Sequence, residues 1–197
     1  MEMISSILLA AGMSTRMGEP KALLPWQGQP LVCYQVEQLR EAGVDEVVVV
    51  LGHRADDIQR HMKLLRCRVL LNALHQQGKA GSLRIGAKGV NRDAEAIVIV
   101  SVDQPRPAEL TRKLLEAHTD ETLISRAVHQ GKGGHPIVVS GALRPELMAA
   151  TDTTGGLKAV MRAHEAETQN IELGPECLVD VNTPDEFSAA RAAYGAV

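Results

Sequence analysis

Residues Glu46–Leu51 read Glu-Val-Val-Val-Val-Leu, a nearly unbroken apolar run of strand length. A strand with one wet face alternates apolar and polar residues, so this run predicts a strand buried on both faces, as in a parallel sheet covered by helices. Ile4–Leu9, Arg68–Leu71 and Ala96–Val100 read as further strands. Between and after them lie amphipathic stretches that predict helices over Pro30–Ala42, about Ala55–Leu65, Gly81–Lys88 and Pro107–His118. Pro30 near a first turn and Gly43 just past an end bound the first of these. Strands alternating with helices in this way are βαβ units.

The last third breaks the rhythm. Thr122–Val128 and Pro136–Val139 flank the turn-like His129-Gln-Gly-Lys-Gly-Gly, which predicts a short antiparallel excursion from the parallel sheet. Helices over Ala142–Ala149 and Gly156–Glu165, a strand over Thr168–Leu173 and a final helix over Pro184–Tyr194 follow. The expected fold is α/β and Rossmann-like, a mainly parallel twisted sheet with helices on both faces. No repeat, low-complexity tract or linker interrupts it, so one domain is expected over residues 1–197.

A net charge of −3 argues against a nucleic-acid binder, because affinity for a phosphate backbone comes mainly from excess Lys and Arg. Trp26, Tyr34, Phe187 and Tyr194 are scattered in sequence and suggest no platform for base stacking. The cysteines Cys33, Cys67 and Cys177 are odd in number and show no CxxC spacing. Unpaired thiols in a reducing, cytoplasmic compartment are therefore expected, rather than a disulfide frame or a zinc site. The stretch from Met1 to Ala11 is apolar, yet Glu2 stands where a signal peptide carries basic residues. Leu9-Ala10-Ala11-Gly12 has the look of a lipoprotein box, but Met13 stands where its cysteine belongs. No run of about 18 apolar residues offers a membrane span.

The segment from Leu8 to Lys21, Leu-Leu-Ala-Ala-Gly-Met-Ser-Thr-Arg-Met-Gly-Glu-Pro-Lys, leaves the first strand with small residues. Such residues let backbone N–H groups approach phosphate oxygens, and Arg16 and Lys21 bring neutralising charge. The chemistry is that of an anion cradle, although neither GxxxxGK[ST] nor GxGxxG is present. A surface loop with solvated charges is the alternative.

This segment, running on into Ala22-Leu23-Leu24-Pro25-Trp26, resembles the signature of the molybdenum-cofactor nucleotidyltransferase-like family, L-A-[AG]-G-x-S-x-R-M-G-x-x-K. The resemblance implies that Leu9, Ala10, Ala11, Gly12 and Ser14 line a nucleoside triphosphate whose phosphates Arg16 and Lys21 hold. Gly78-Lys79-Ala80-Gly81-Ser82-Leu83 resembles the family's second glycine-rich turn, with Gly78 and Ser82 touching the nucleotide; a plain helix start explains it equally well. Asp103-Gln104-Pro105 matches D-[MQ]-P, whose aspartate binds Mg²⁺, and an aspartate in a turn is its plainer reading. Asp180-Val181-Asn182-Thr183-Pro184-Asp185-Glu186 resembles a late motif that completes the metal site. There Thr183, Glu186 and Pro184 suffice as a helix start, which leaves Asn182 and Asp180 as ligand candidates. Gly134-His135-Pro136 matches a turn placed beside the acceptor, although a lone histidine is more often structural. Where many relatives carry G-D-x-G, alignment on Gly156 puts Thr154 in the place of the aspartate.

The resemblance implies a Mg²⁺-dependent transfer of CMP from CTP to molybdopterin with release of pyrophosphate, the product passing to a molybdoenzyme. Ala11, where the guanylyltransferase pattern has glycine, favours CTP over GTP. Guanylyl transfer, transfer to a sugar or polyol phosphate, and a non-catalytic chaperone for a nucleotide or pterin are the alternatives. An ionised phosphate monoester is already a nucleophile, so no Ser-His-Asp triad is required.

Overall fold

The computed structural model describes residues 3–195; Glu2, weighed above in the N-terminal run, lies outside them. The strands are β1 (Ile4–Ala10), β2 (Pro25–Trp26), β3 (Gln29–Pro30), β4 (Glu46–Leu51), β5 (Arg68–Leu71), β6 (Ala96–Ser101), β7 (Ile124–His129), β8 (Lys132–Ser140) and β9 (Thr168–Glu172). The helices are α1 (Leu31–Glu41), α2 (Ala55–His61), α3 (Lys79–Gly89), α4 (Ala108–Ala117), α5 (Arg144–Ala149), α6 (Leu157–Ala163) and α7 (Pro184–Ala190). Seven strands form one sheet in the order β5-β4-β1-β6-β8-β7-β9, and β2 with β3 makes a separate antiparallel pair. Strand β8 runs antiparallel to both neighbours, whereas the other pairings in the large sheet are parallel. The expected α/β architecture is thus present, with its antiparallel excursion confined to one reversed strand.

Period-2 alternation sends the strand side chains to two cores. Leu8, Val47, Val49, Val98 and Val100 pack with residues of α1 and α4 on one face. Ile7, Val48, Val50, Ile97 and Ile99 pack with α3, α5 and α6 on the other. The run at Glu46–Leu51 is continuous because both faces are covered. Strands β4 and β5 lie on one side of β1 and β6 on the other, so the chain changes direction at β1. The crevice beyond the C-terminal ends of strands at such a switch is where sheets of this kind take ligands.

Several boundaries differ from expectation. Helix α2 ends at His61, after which a turn buries Met62 and leaves Leu64 exposed, although the apolar pattern carried the helix to Leu65. Helix α3 begins two residues earlier than Gly81. The hairpin turn is only Gln130 and Gly131, both at positive φ, the left-handed geometry a two-residue turn demands. Gly134-His135-Pro136 is therefore not a turn but part of β8. Proline cannot donate to a ladder, and the β7 pairing shifts between Arg126 and Val128 beside it. Trp26, Tyr34 and Phe187, far apart in sequence, come together with ring centroids 6.2 and 6.4 Å apart, but as core packing.

Helix α3 lies close on β1 because Gly86 has no side chain; a Cβ there would collide with Ile7. Gly86→Val is expected to destabilise the protein by about 1–3 kcal/mol through overpacking. Urea unfolding checks this, and an unchanged midpoint would show that α3 sits more loosely.

Candidate active site

Beyond β1 the chain folds back on itself at Ser14, which has φ 54°. Its carbonyl accepts from the Met17 amide at 2.9 Å and its Oγ from the Lys21 amide at 3.0 Å. These bonds set Lys21 at the start of a 3₁₀ turn, Lys21–Leu23. Lys21 Nζ then donates to Asp103 Oδ2 and to Asn182 Oδ1, each at 2.9 Å. Three segments separated by 82 and 161 residues thus converge on one ammonium.

Each partner is held from behind. Gln35 of α1, 1% exposed, donates through Nε2 to the carbonyls of Ser101 at 3.0 Å and Gln104 at 2.8 Å, which fixes the loop that carries Asp103. The Asp103 carbonyl accepts from the Val181 amide at 2.8 Å, and this brings residue 182 alongside. Thr183 caps α7 as expected, its Oγ1 accepting from the Glu186 amide at 3.2 Å. Glu186 reaches back to the Asn182 amide at 2.8 Å rather than to Thr183, so the capping residues also hold Asn182.

A cleft of about 300 Å³ opens above these groups. It is lined by Leu9, Ala10, Ala11, Gly12, Ser14, Arg16, Lys21, Gly78, Ser82, Asp103 and Asn182. Ser82 is buried and its Oγ accepts from Asn72 Nδ2 at 2.9 Å. Asp180 is not part of this group. It lies beside the Arg106 guanidinium, 3.8 Å away, and lines neither cleft described here. Burial pushes its carboxyl up from the ordinary range, against the pull of a Gln104 hydrogen bond and Arg106.

A second, larger cleft of about 760 Å³ adjoins the first, and Leu9, Lys79 and Ser101 line both. His135 lines this second cleft. Its Nδ1 accepts from Gln104 Nε2 at 2.9 Å, which leaves the proton of the neutral ring on Nε2. Burial, then the positive charge of Arg106, pushes its pKa down to about 4. The ring is thus a neutral hydrogen-bonding group at pH 7. The Thr151–Gly156 loop borders the same cleft through Asp152, whose carboxylate accepts from the Ala80 amide at 3.2 Å and so caps α3 from outside. Thr154, aligned above with the family's aspartate, is exposed and bonds to the Thr151 carbonyl at 2.9 Å. The carboxylate in this loop is two residues earlier than that alignment placed it.

Asp103 Oδ2 and Asn182 Oδ1 both face the point where Lys21 Nζ lies. Two hard oxygens directed at one cation suit Mg²⁺, which completes its shell with water and substrate phosphates. Among the described residues no group of three or more His, Cys, Asp or Glu could hold a metal by itself.

Residues 6–168 match the model of the MobA-like NTP transferase domain. The chain belongs to this family. It is 25% identical over 198 residues to the molybdenum cofactor cytidylyltransferase of Escherichia coli strain K12, covering 98% of each chain. It is 30% identical over 167 residues to the nicotine blue oxidoreductase of Paenarthrobacter nicotinovorans, covering 81% of each. Among solved structures, Rv0371c from Mycobacterium tuberculosis H37Rv superposes with a TM-score of 0.83 at 27% identity, covering 95% of this chain and 96% of that one. The same mycobacterial protein in complex with manganese superposes with a TM-score of 0.76 at 25% identity, covering 95% and 97%. The nucleotidyltransferase fold and family expected from the opening motif are therefore established. Among the described residues no helix is long and apolar enough to cross a membrane, and Cys33, Cys67 and Cys177 are unpaired.

The half-buried ring of His135 makes stability depend on pH. Its folded pKa of about 4 lies below the ordinary 6.5, so the unfolded chain binds the proton more readily. The stabilisation is full above about 6.5 and is lost as pH falls toward 4, by at most about 3 kcal/mol. Urea melts of wild type and His135→Gln from pH 7 to pH 4.5 should show the wild type losing more stability. A constant difference across that window would contradict a ring held neutral by its surroundings.

Proposed function

We propose that this chain transfers CMP from CTP to molybdopterin in the cytoplasm, releasing pyrophosphate and using Mg²⁺. The observation that carries the proposal is the convergence of Lys21, Asp103 and Asn182 under a small-residue loop, with a second and larger cleft opening beside it. A triphosphate fits the first chemistry and a bulky acceptor the second. The larger cleft, about 760 Å³, favours a pterin-sized acceptor over a small polyol phosphate. Ala11 supports CTP, since its buried methyl lines the smaller cleft and takes space a purine would need. The 25% identity to the E. coli cytidylyltransferase supports the same substrates. A site that meets phosphates with a lysine and two oxygen donors suits nucleotidyl transfer better than the redox chemistry named in the other relative.

An oxygen of the acceptor's phosphate forms a bond to the α-phosphorus as the bond to the bridging oxygen breaks and pyrophosphate leaves. Positioning and charge neutralisation carry such a step, and no side chain need take a proton. Arg16 and Lys21 meet the triphosphate, and Lys21 exchanges its present partners for phosphate oxygens. Asp103 and Asn182 would hold Mg²⁺, which when bound neutralises phosphate charge. His135 offers a hydrogen bond toward the acceptor.

Pyrophosphate release with molybdopterin and each NTP tests the reading, with CTP expected to exceed GTP by on the order of tenfold or more in kcat/KM. Lys21→Ala and Asp103→Ala should each lower kcat by about 10²–10³. The paired side chains are only 12% and 18% exposed, so each loss should also cost stability, by about 1–3 kcal/mol. Lys21→Arg should recover only part of the rate, because a planar fork does not replace a compact ammonium. Near-normal kcat in Lys21→Ala would remove the proposed role.

A further inference from the structure

We infer that Lys79 is a further catalytic residue of this transfer, its ammonium holding the acceptor's phosphate against the α-phosphorus; the inference rests on the function proposed above. Lys79 is the first residue of α3 and is exposed. Arg16, Lys21 and Lys79 supply the lysine and arginine charges of the smaller cleft, and Lys79, Arg126, Lys158 and Arg162 those of the larger. Among the described residues Lys79 alone belongs to both sets. It shares the seam with Leu9 and Ser101, which pair side by side at the ends of β1 and β6.

Two further facts fit a working cation at this place. Among the described residues the Lys79 ammonium has no ion-pair or hydrogen-bond partner, whereas Lys21 is held by Asp103 and Asn182. After burial and the charge of Arg106, the positive charge of Lys79 is also felt at His135, which lines the larger cleft with it. The lysine thus stands between the two clefts with a free charge.

The chemistry needs a charge there. A phosphate monoester and a triphosphate repel each other, and the repulsion is greatest where the attacking oxygen meets the α-phosphorus. A flexible ammonium between the two anions offsets that repulsion without restricting the acceptor's remaining atoms. As the new P–O bond forms, the electron pair of the broken bond goes to pyrophosphate, and Lys79 keeps its proton throughout. A lysine serving only the NTP would act on CTP binding instead, and one directed into solvent would act on neither.

The test compares wild type with Lys79→Ala, Lys79→Gln and Lys79→Arg in CTP-dependent pyrophosphate release with molybdopterin, alongside calorimetric titration of CTP in the absence of acceptor. The neutral variants should lose about 10²–10³ in kcat/KM for the acceptor, with CTP affinity within about threefold of wild type and unchanged melting. Lys79→Arg should restore part of the loss. Acceptor kinetics within about threefold of wild type would overturn the inference. So would a loss of CTP affinity equal to the loss of activity. A wild type silent with molybdopterin and all four NTPs would overturn the transfer itself, whereas an active wild type beside an equally active Lys79→Ala would count against Lys79 alone.

Discussion

The guanidinium of Arg106 is the tie that holds the site's three walls together. It is 2% exposed and donates to the carbonyls of Pro105 at 2.9 Å, His135 at 2.8 Å, Cys177 at 2.9 Å and Val179 at 2.6 Å. Those carbonyls belong to the loop after β6, to β8 and to the segment that leads into Asn182. Burial lowers its pKa to about 10, so it remains charged at neutral pH. A buried cation is costly unless its donors are satisfied, and here the main chain of three segments satisfies them. The contact is close enough that a Cβ at Gly134 would collide with the Cys177 carbonyl. Asp103, His135 and Asn182 keep their spacing because one side chain fastens the backbones that carry them.

The reversal of β8 gives this tie something to hold. Ile99 pairs with Ile137, so the chain before Ile137 continues past the C-terminal end of β6, where the loops of a parallel sheet gather. A parallel strand in that position would have delivered its N-terminal residues to the opposite edge. The reversed one delivers Gly133, Gly134 and His135 to the wall of the larger cleft. The excursion that interrupts the βαβ rhythm is thus the element that adds a second, larger cleft beside the crevice at the ends of β1 and β6.

Much of this was legible in the sequence, for identifiable reasons. Valine-rich runs read directly as strands buried on both faces, and Thr183 with Pro184 read as a helix start. Lys21, Asp103 and Asn182 were legible through motif resemblance, since nothing in their spacing alone shows that they meet. Gln35, Arg106 and Asp152 were missed because their roles depend on which backbone groups tertiary packing leaves unpaired. Gln35 carried one local signal, a polar residue within the apolar run Leu31–Val36. Gly134-His135-Pro136 was read as a turn through its resemblance to a family motif, yet here the three residues lie in a strand whose ladder is already irregular. Asp180 matched its motif as well as Asn182 did, and only the fold distinguishes them, turning Asn182 toward Lys21 and Asp180 toward Arg106.

The division into two clefts also bears on how such a protein diversifies. The smaller is built largely from the loop after β1, and the larger from β8, α6 and the Thr151–Gly156 loop. Among the described residues only three belong to both. Under the function proposed above, changes in α6 or β8 would alter which acceptor is admitted while leaving the choice of nucleotide intact, and the reverse would hold for the loop at Ala11. On that reading the two halves of substrate preference are inherited on separate stretches of chain, joined at Leu9, Lys79 and Ser101.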